Sequence, residues 1–386
     1  MNPILTISPG RGTGESTLSN KTRLDYLDIT RGLIILLVVL FHSPFSHGSY
    51  IGWFRMPSFF ILSGLLYKQP APHHVISFLK KKTCNLLIPY VAYAVLLTAI
   101  LAGKDQLKEL TSFNGYHLFF TLFSKEFAGT LSLLFYGGDM IPGGSLVTFW
   151  FINCLYLSIV LFTILKTLIK NQFAFLTTVS VAYLVGVFLC NTIKYPLPWG
   201  FNIALIALPF FAIGFYSKEI LNNINRNLSS FVPIFFLLIG ICFGLIILNK
   251  AGLFSFMFSF RGGLFPDPLL TLIIPPFYTL MVLMTSMLLS NTWLNRYLSY
   301  LGRNTLPILF LHMTVGMFVK MGHHYFHREP HFLVWMTISL GLPLIAASFL
   351  DKYKFTQMLF LGKNSDQFIP TIKQYFIKQQ RSSLVE

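Results

Sequence analysis

The sequence predicts an all-α fold, a polytopic transmembrane helix bundle of about ten spans with the N- and C-termini inside, on three observations. Of the 386 residues, 54% are hydrophobic and only 11% are charged. A soluble domain carries about 25% charged residues, so lipid must be much of the solvent here. The apolar runs are also about 20 residues long, enough to cross a hydrocarbon core of about 30 Å. They lack the period-two alternation of barrel strands. Finally, the basic residues gather in alternate connections, which sets an orientation.

The expected spans run at about 31–48, 52–68, 85–103, 146–165, 173–193, 199–217, 230–249, 268–290, 304–321 and 332–350. The first two are the shortest, and Pro44, Pro57, Pro89, Pro209 and Pro307 are expected to kink or end helices. With the N-terminus inside, the inner connections hold most of the 29 basic residues. Arg31, Lys80, Lys81, Lys82 and Arg303 are among them. The longest connection, 104–145, falls outside and carries the glycine-rich stretch from Gly137 to Gly144. A connection of that length is usually functional, and part of an acceptor-side wall is expected there.

Residues 1–23 are polar, with no leading apolar stretch of a cleavable signal, and read as a disordered cytosolic tail. Gly10–Gly14 lacks the strand and the Lys-Ser/Thr of a phosphate loop. Residues 24–352 form the transmembrane domain, and 353–386 read as a basic, solvated cytosolic tail. The net charge of +16 does not imply nucleic acid as a partner, because the basic residues sit between apolar runs. The partner they imply is the lipid bilayer. Cys84, Cys154, Cys190 and Cys242 lie in or beside apolar segments without a CxxC pair and read as buried, unpaired thiols.

Chemistry concentrates at Leu27-Asp28-Ile29-Thr30-Arg31-Gly32 and at His42. Eleven residues separate Arg31 from His42, which on a helix leaves them about 20° from one face and about 16 Å apart along the axis. Asp28 stands one turn before Arg31, in reach of an ion pair. An ionisable group inside a span is costly and suggests function. The bland reading, a histidine satisfied by a neighbouring helix, loses ground because Asp28 and Arg31 lie in phase below it.

The pattern Leu-Asp-x-x-Arg-Gly followed by that histidine resembles the acyltransferase-3 family of integral membrane acyltransferases. Phe54-Arg55-Met56-Pro57-Ser58-Phe59-Phe60-Ile61-Leu62-Ser63-Gly64 resembles its second-helix motif, especially in the fucose-4-O-acetylase-like branch. Phe78 to Lys82 leading to Pro89-Tyr90 resembles the basic start of its third helix, and Trp150-Phe151 its fourth-helix pair. Leu301-Gly302-Arg303-Asn304-Thr305-Leu306 with His312 resembles its late segment. Two departures stand out. Arg55 occupies a position that is often His in related sequences, and Lys82 and Asn85 stand where many members carry an Arg-x-x-Arg pair.

The resemblance implies an O-acyltransferase, most simply an O-acetyltransferase. The acyl donor it implies is acetyl-CoA or another acyl-CoA, with no permanently bound cofactor, and the acceptor is a glycan or lipid-linked sugar hydroxyl of a bacterial surface polysaccharide. The implied location is the bacterial cytoplasmic (inner) membrane.

Physical reasoning runs beside it. A hydroxyl attacking a thioester needs a base, and imidazole titrates near working pH, so His42 is the expected catalytic base with Arg31 and Asp28 as its catalytic companions. The thioester oxygen needs a positive group, a role open to Arg31, Arg55 or a helix N-terminus. Arg31, Lys80, Lys81, Lys82 and Arg303 are the expected donor-binding groups, matched to anionic phosphates. Arg55, Ser63, Trp150 and His312 are the expected substrate-binding groups. For Ser63 a plain backbone hydrogen bond is the stronger reading, and for Trp150 helix packing is an even alternative. A covalent acyl-His42 and direct transfer are both open. His323, His324, His327 and His331 lie near one carboxylate, Glu329, and no metal site is expected of them. A transporter or flippase is the alternative class, but no inverted repeat or pair of corresponding broken helices supports it. A non-catalytic scaffold would leave the in-phase Asp28, Arg31 and His42 unexplained.

Overall fold

A computed structural model of the protein describes residues 14–45, 48–106, 115–193, 195–325 and 330–365. Its elements are helices: α1 (Gly14–His42), α2 (Arg55–Leu66), α3 (Val75–Gln106), α4 (Gly115–Tyr136), α5 (Phe149–Leu168), α6 (Gln172–Thr192) and α7 (Phe201–Tyr216). They continue with α8 (Lys218–Arg226), α9 (Leu228–Lys250), α10 (Pro268–Leu289), α11 (Leu294–Arg303), α12 (Thr305–Tyr325), α13 (Phe332–Leu350) and α14 (Lys354–Phe360). Among the described residues, α3, α5, α6, α7, α9, α10, α12 and α13 are long and apolar enough to cross a membrane. With α1 and α2 they make the expected bundle of about ten.

The first hairpin departs from expectation in its lengths. The span placed at 31–48 ends at His42, because Pro44 has no N–H to continue the ladder and biases Ser43 away from helix. At its other end α1 reaches back to Gly14, so helix occupies part of the segment expected as a disordered tail; residues 1–13 lie outside the described residues. A six-residue 3-10 turn, Gly48–Trp53, leads into α2. At 12 residues, α2 is about 18 Å long and cannot cross the core alone.

Most of the long connection at 104–145 is helix. α4 lies along α3, and its end is tied in by the Tyr90 hydroxyl, which donates to the Leu134 carbonyl at 2.6 Å. Asn153 Nδ2 in turn donates to the Tyr90 oxygen at 3.1 Å, joining α3, α4 and α5. Gly137 (φ +74°, ψ −160°) ends α4 in a backbone conformation open essentially only to glycine.

Short helices line the face that carries Arg31. The amphipathic α11 packs against α1 backbone to backbone at Gly32 and Gly302. A methyl group on Gly32 would collide with the Leu298 carbonyl oxygen, and one on Gly302 with that of Asp28. Gly64 of α2 and Gly214 of α7 make the same kind of crossing, against Phe211 and Ile61. Close glycine crossings let dispersion and backbone packing replace a hydrophobic drive that is absent in lipid. After Asp351 the chain does not simply run into solvent as a tail. Lys363 pairs with Asp351 at 2.6 Å, and Phe360 packs edge-on against Tyr93 at 5.2 Å; residues 366–386 lie outside the described residues.

The core is aliphatic and aromatic: Ile34, Ile35, Val39, Phe60, Phe149 and Phe310 are fully buried. By contrast α9 leaves Phe236, Leu237, Phe243 and Ile247 more than half exposed, as a helix facing lipid does.

Candidate active site

Because α1 stops at His42, its last side chain stands at the floor of a chamber rather than inside a continuous rod. The chamber has a volume of about 570 Å³, a typical size for a small-molecule site. Phe41, His42, Arg55, Trp150, Phe256 and Arg261 are among its walls. Its rim comes from the turn before α2, the Val147–Thr148 end of the long connection and the stretch between α9 and α10.

Two charged or titratable side chains meet at the floor, and a third lies behind them. His42 lies against Phe41, with ring centroids 5.1 Å apart and edge to face. Arg55, the first residue of α2, lays its guanidinium over the same Phe41 ring, with Cζ 3.6 Å from the centroid. Its other contact is Nη1 to the Met56 sulfur at 3.7 Å, and its buried Nε has no hydrogen-bond partner among the described residues. A guanidinium whose neighbours are a phenyl ring and a thioether is poorly compensated. No Asp or Glu belongs to the chamber wall among the described residues, so this charge is available to a negative group of a bound molecule. His312 of α12 is the third, with its ring centroid 5.5 Å from that of His42.

A second cluster lies toward the other end of α1. Arg31 Nη1 pairs with Asp28 Oδ1 at 3.1 Å, and Arg303 Nη1 approaches Asp28 Oδ2 at 3.9 Å. Lys82 lies within electrostatic reach of Arg31, while Lys80 and Lys81 are exposed. The chamber does not extend to this cluster. Along α1 the buried aliphatic side chains of Ile34, Ile35, Val38 and Val39 lie between the two, with Val38 reaching the chamber wall.

The expected site residues thus fall into two groups. His42, Arg55 and Trp150 share the chamber, whereas Asp28, Arg31, Lys82 and Arg303 share the basic end. His312 is fully buried and forms no part of the chamber wall, so a direct substrate contact is not where the structure puts it. Ser63 also lies off the wall; its hydroxyl donates to the Phe59 carbonyl at 2.7 Å, an ordinary helical back-bond. His323 likewise bonds backbone, at Val319, and His331 caps α13; His327 and the side chain of His324 lie outside the described residues.

Arg261 escaped the sequence reading. It reaches the chamber wall from the stretch between α9 and α10, pairs with Asp139 at 3.2 Å and donates to the Ile141 carbonyl at 2.9 Å. It thereby clasps two connections across the mouth. A signal for it existed: Phe254, Phe256, Phe258 and Phe260 alternate with Ser and Met up to Arg261. That period marks an extended segment with one apolar side, and here Phe256 packs on Trp53 and Phe260 on Phe60.

Bundle and chamber together define a class, a polytopic membrane protein that holds ionisable groups around a pocket. A family model described as an acyltransferase domain, that of the acyltransferase-3 family, matches residues 24–350. The chain belongs to this family, and the protein is a membrane acyltransferase. No curated protein and no solved structure matches the chain.

Proposed function

We propose that this protein is an O-acetyltransferase of the bacterial inner membrane. On this reading it moves an acetyl group from acetyl-CoA to a sugar hydroxyl of a surface glycan, such as lipopolysaccharide O-antigen or an exopolysaccharide, and is allied to fucose-4-O-acetylase-like enzymes. The observation that carries the reading is the meeting of His42 and Arg55 at the floor of one chamber.

The acceptor hydroxyl lies in the chamber beside His42. As its oxygen bonds to the acyl carbon, its proton passes to the imidazole. The thioester carbonyl oxygen takes up negative charge, and Arg55 supplies the positive group it needs without reorganisation, because no carboxylate among the described residues neutralises it. Collapse of the tetrahedral state breaks the carbon–sulfur bond, and the departing thiolate recovers the proton from His42. The basic end, with Arg31 oriented by Asp28 and flanked by Lys82 and Arg303, suits the anionic phosphates of the donor on the cytosolic side. Arginine there offers a fork for phosphate, and Lys82 a point charge.

The deciding test replaces His42 by Ala and follows labelled acetyl transfer from acetyl-CoA to the membrane glycan at matched protein levels. Transfer is expected to fall by about 10²–10⁴-fold, the contribution of a positioned base. A variant that acetylates normally would remove His42 from this role.

A further inference from the structure

His312 is a histidine without an evident task. It is fully buried, it touches none of the chamber, and it stands directly behind His42. Its Nδ1 lies 2.8 Å from the carbonyl oxygen of Ile308, one turn earlier on α12. A carbonyl oxygen only accepts, so Nδ1 carries the ring hydrogen and Nε2 is left as a bare acceptor. That Nε2 is buried and has no partner among the described residues. A buried acceptor without a donor is unfavourable, and persists where another group is there to use it.

The neighbouring ring that can supply a donor is His42, 5.5 Å away between centroids and tilted by 46°. We propose that His312 is a positioning residue: its Nε2 accepts the N–H of His42, which fixes the His42 tautomer and turns the other, unprotonated nitrogen toward the chamber. The chain of contacts then runs from the Ile308 carbonyl through His312 to His42, each group orienting the next, as the third member of a catalytic triad orients its histidine. It also stabilises the imidazolium that His42 becomes during transfer, because the positive ring still donates to Nε2. Arg55 is a second donor near the pair, and it acts electrostatically on both rings. Its guanidinium is already laid flat on Phe41, with its contacts to that ring and to Met56.

This inference rests on His42 as base, and the experiment separates the two. Membranes carrying wild type, His42→Ala, His312→Leu, His312→Gln, Arg55→Gln or the His312→Leu/Arg55→Gln double variant are compared at equal protein content. The measurement is the acetyl-CoA dependence of glycan O-acetylation. Leu fills the space without an acceptor, whereas the Gln side-chain oxygen reaches the position of Nε2. For His312→Leu, kcat is expected to fall by about 10²–10⁴-fold, the scale of a lost orienting partner, with the KM for acetyl-CoA unchanged. His312→Gln should recover a large part of that loss, and the double variant should show the two single losses multiplied. Equal activity of the Leu and Gln variants, a normal rate in His312→Leu, or a rise in KM alone overturns the proposal. Non-multiplying losses in the double variant also overturn it, because they make Arg55 the partner of His312. Activity retained in His42→Ala overturns the underlying reading instead.

Discussion

At the scale of single residues, the chamber floor is governed by the charge of Arg55, which meets no carboxylate among the described residues. Arg55 is held by a phenyl ring and a thioether rather than a carboxylate, an arrangement that keeps its field for a transient anion. Arg55→Gln is therefore expected to lower kcat by about 10²–10³-fold, the cost of losing one donor to an oxyanion, while donor KM changes little. Steady-state transfer assays in membranes check this, and a change confined to KM would make Arg55 a binding group only. His42, Arg55 and Trp150 were legible in the sequence because an ionisable or amphipathic side chain inside an apolar run stands out against its neighbours. Arg261 was not, since a basic residue in a connection looks like any solvated charge until folding carries it across to Asp139. Nor does the sequence separate a wall residue from one behind the wall. His312 carried the same signal as His42 and has a different environment.

At the scale of elements, the site depends on helices that touch through glycine. α1 presents His42 at its end and Arg31 about three turns earlier, and α11 fixes it through the crossing of Gly32 and Gly302. Gly32→Ala and Gly302→Ala are each expected to destabilise the protein by about 1–3 kcal/mol, the range for overpacking. The thermal midpoint of the detergent-solubilised protein should drop accordingly. Gly240→Ala and Gly244→Ala on α9 are the matched controls, because a methyl group there meets nothing within 4 Å. A similar drop in those controls would deny that the crossing is what matters. The spans from α5 onward were readable almost to their ends, since uninterrupted apolar runs of membrane length have few competing interpretations. α4 was missed because Thr121, Ser124, Lys125 and Glu126 break its apolar run, and its order comes from α3 and the Tyr90 bond rather than from its own pattern. The amphipathic α8, α11 and α14 are too short to announce themselves, being stabilised by the bundle they lie on.

At the scale of the whole molecule, two polar regions stand about three turns apart along α1, and the expected orientation gives each its own side of the membrane. Donor chemistry suits the basic end and acceptor chemistry the chamber. In sealed vesicles of opposite orientation, acetyl-CoA is therefore expected to support transfer only when supplied to the side bearing Arg31 and Arg303. Equal transfer from either side would dissolve this division. The lysines and arginines of the sequence set the expected sidedness, but nothing in it marks which aliphatic residues lie between the two regions, because they look alike whether they face lipid or fill a core. Those residues, Ile34, Ile35, Val38 and Val39, bear on more than the passage of an acyl group. Water columns meeting around an imidazole would give protons a relay down their electrochemical gradient, and every copy of the protein would drain the energised membrane. α1 itself offers no such relay, because every residue from 32 to 41 is glycine, aliphatic or phenylalanine and none can pass a proton on.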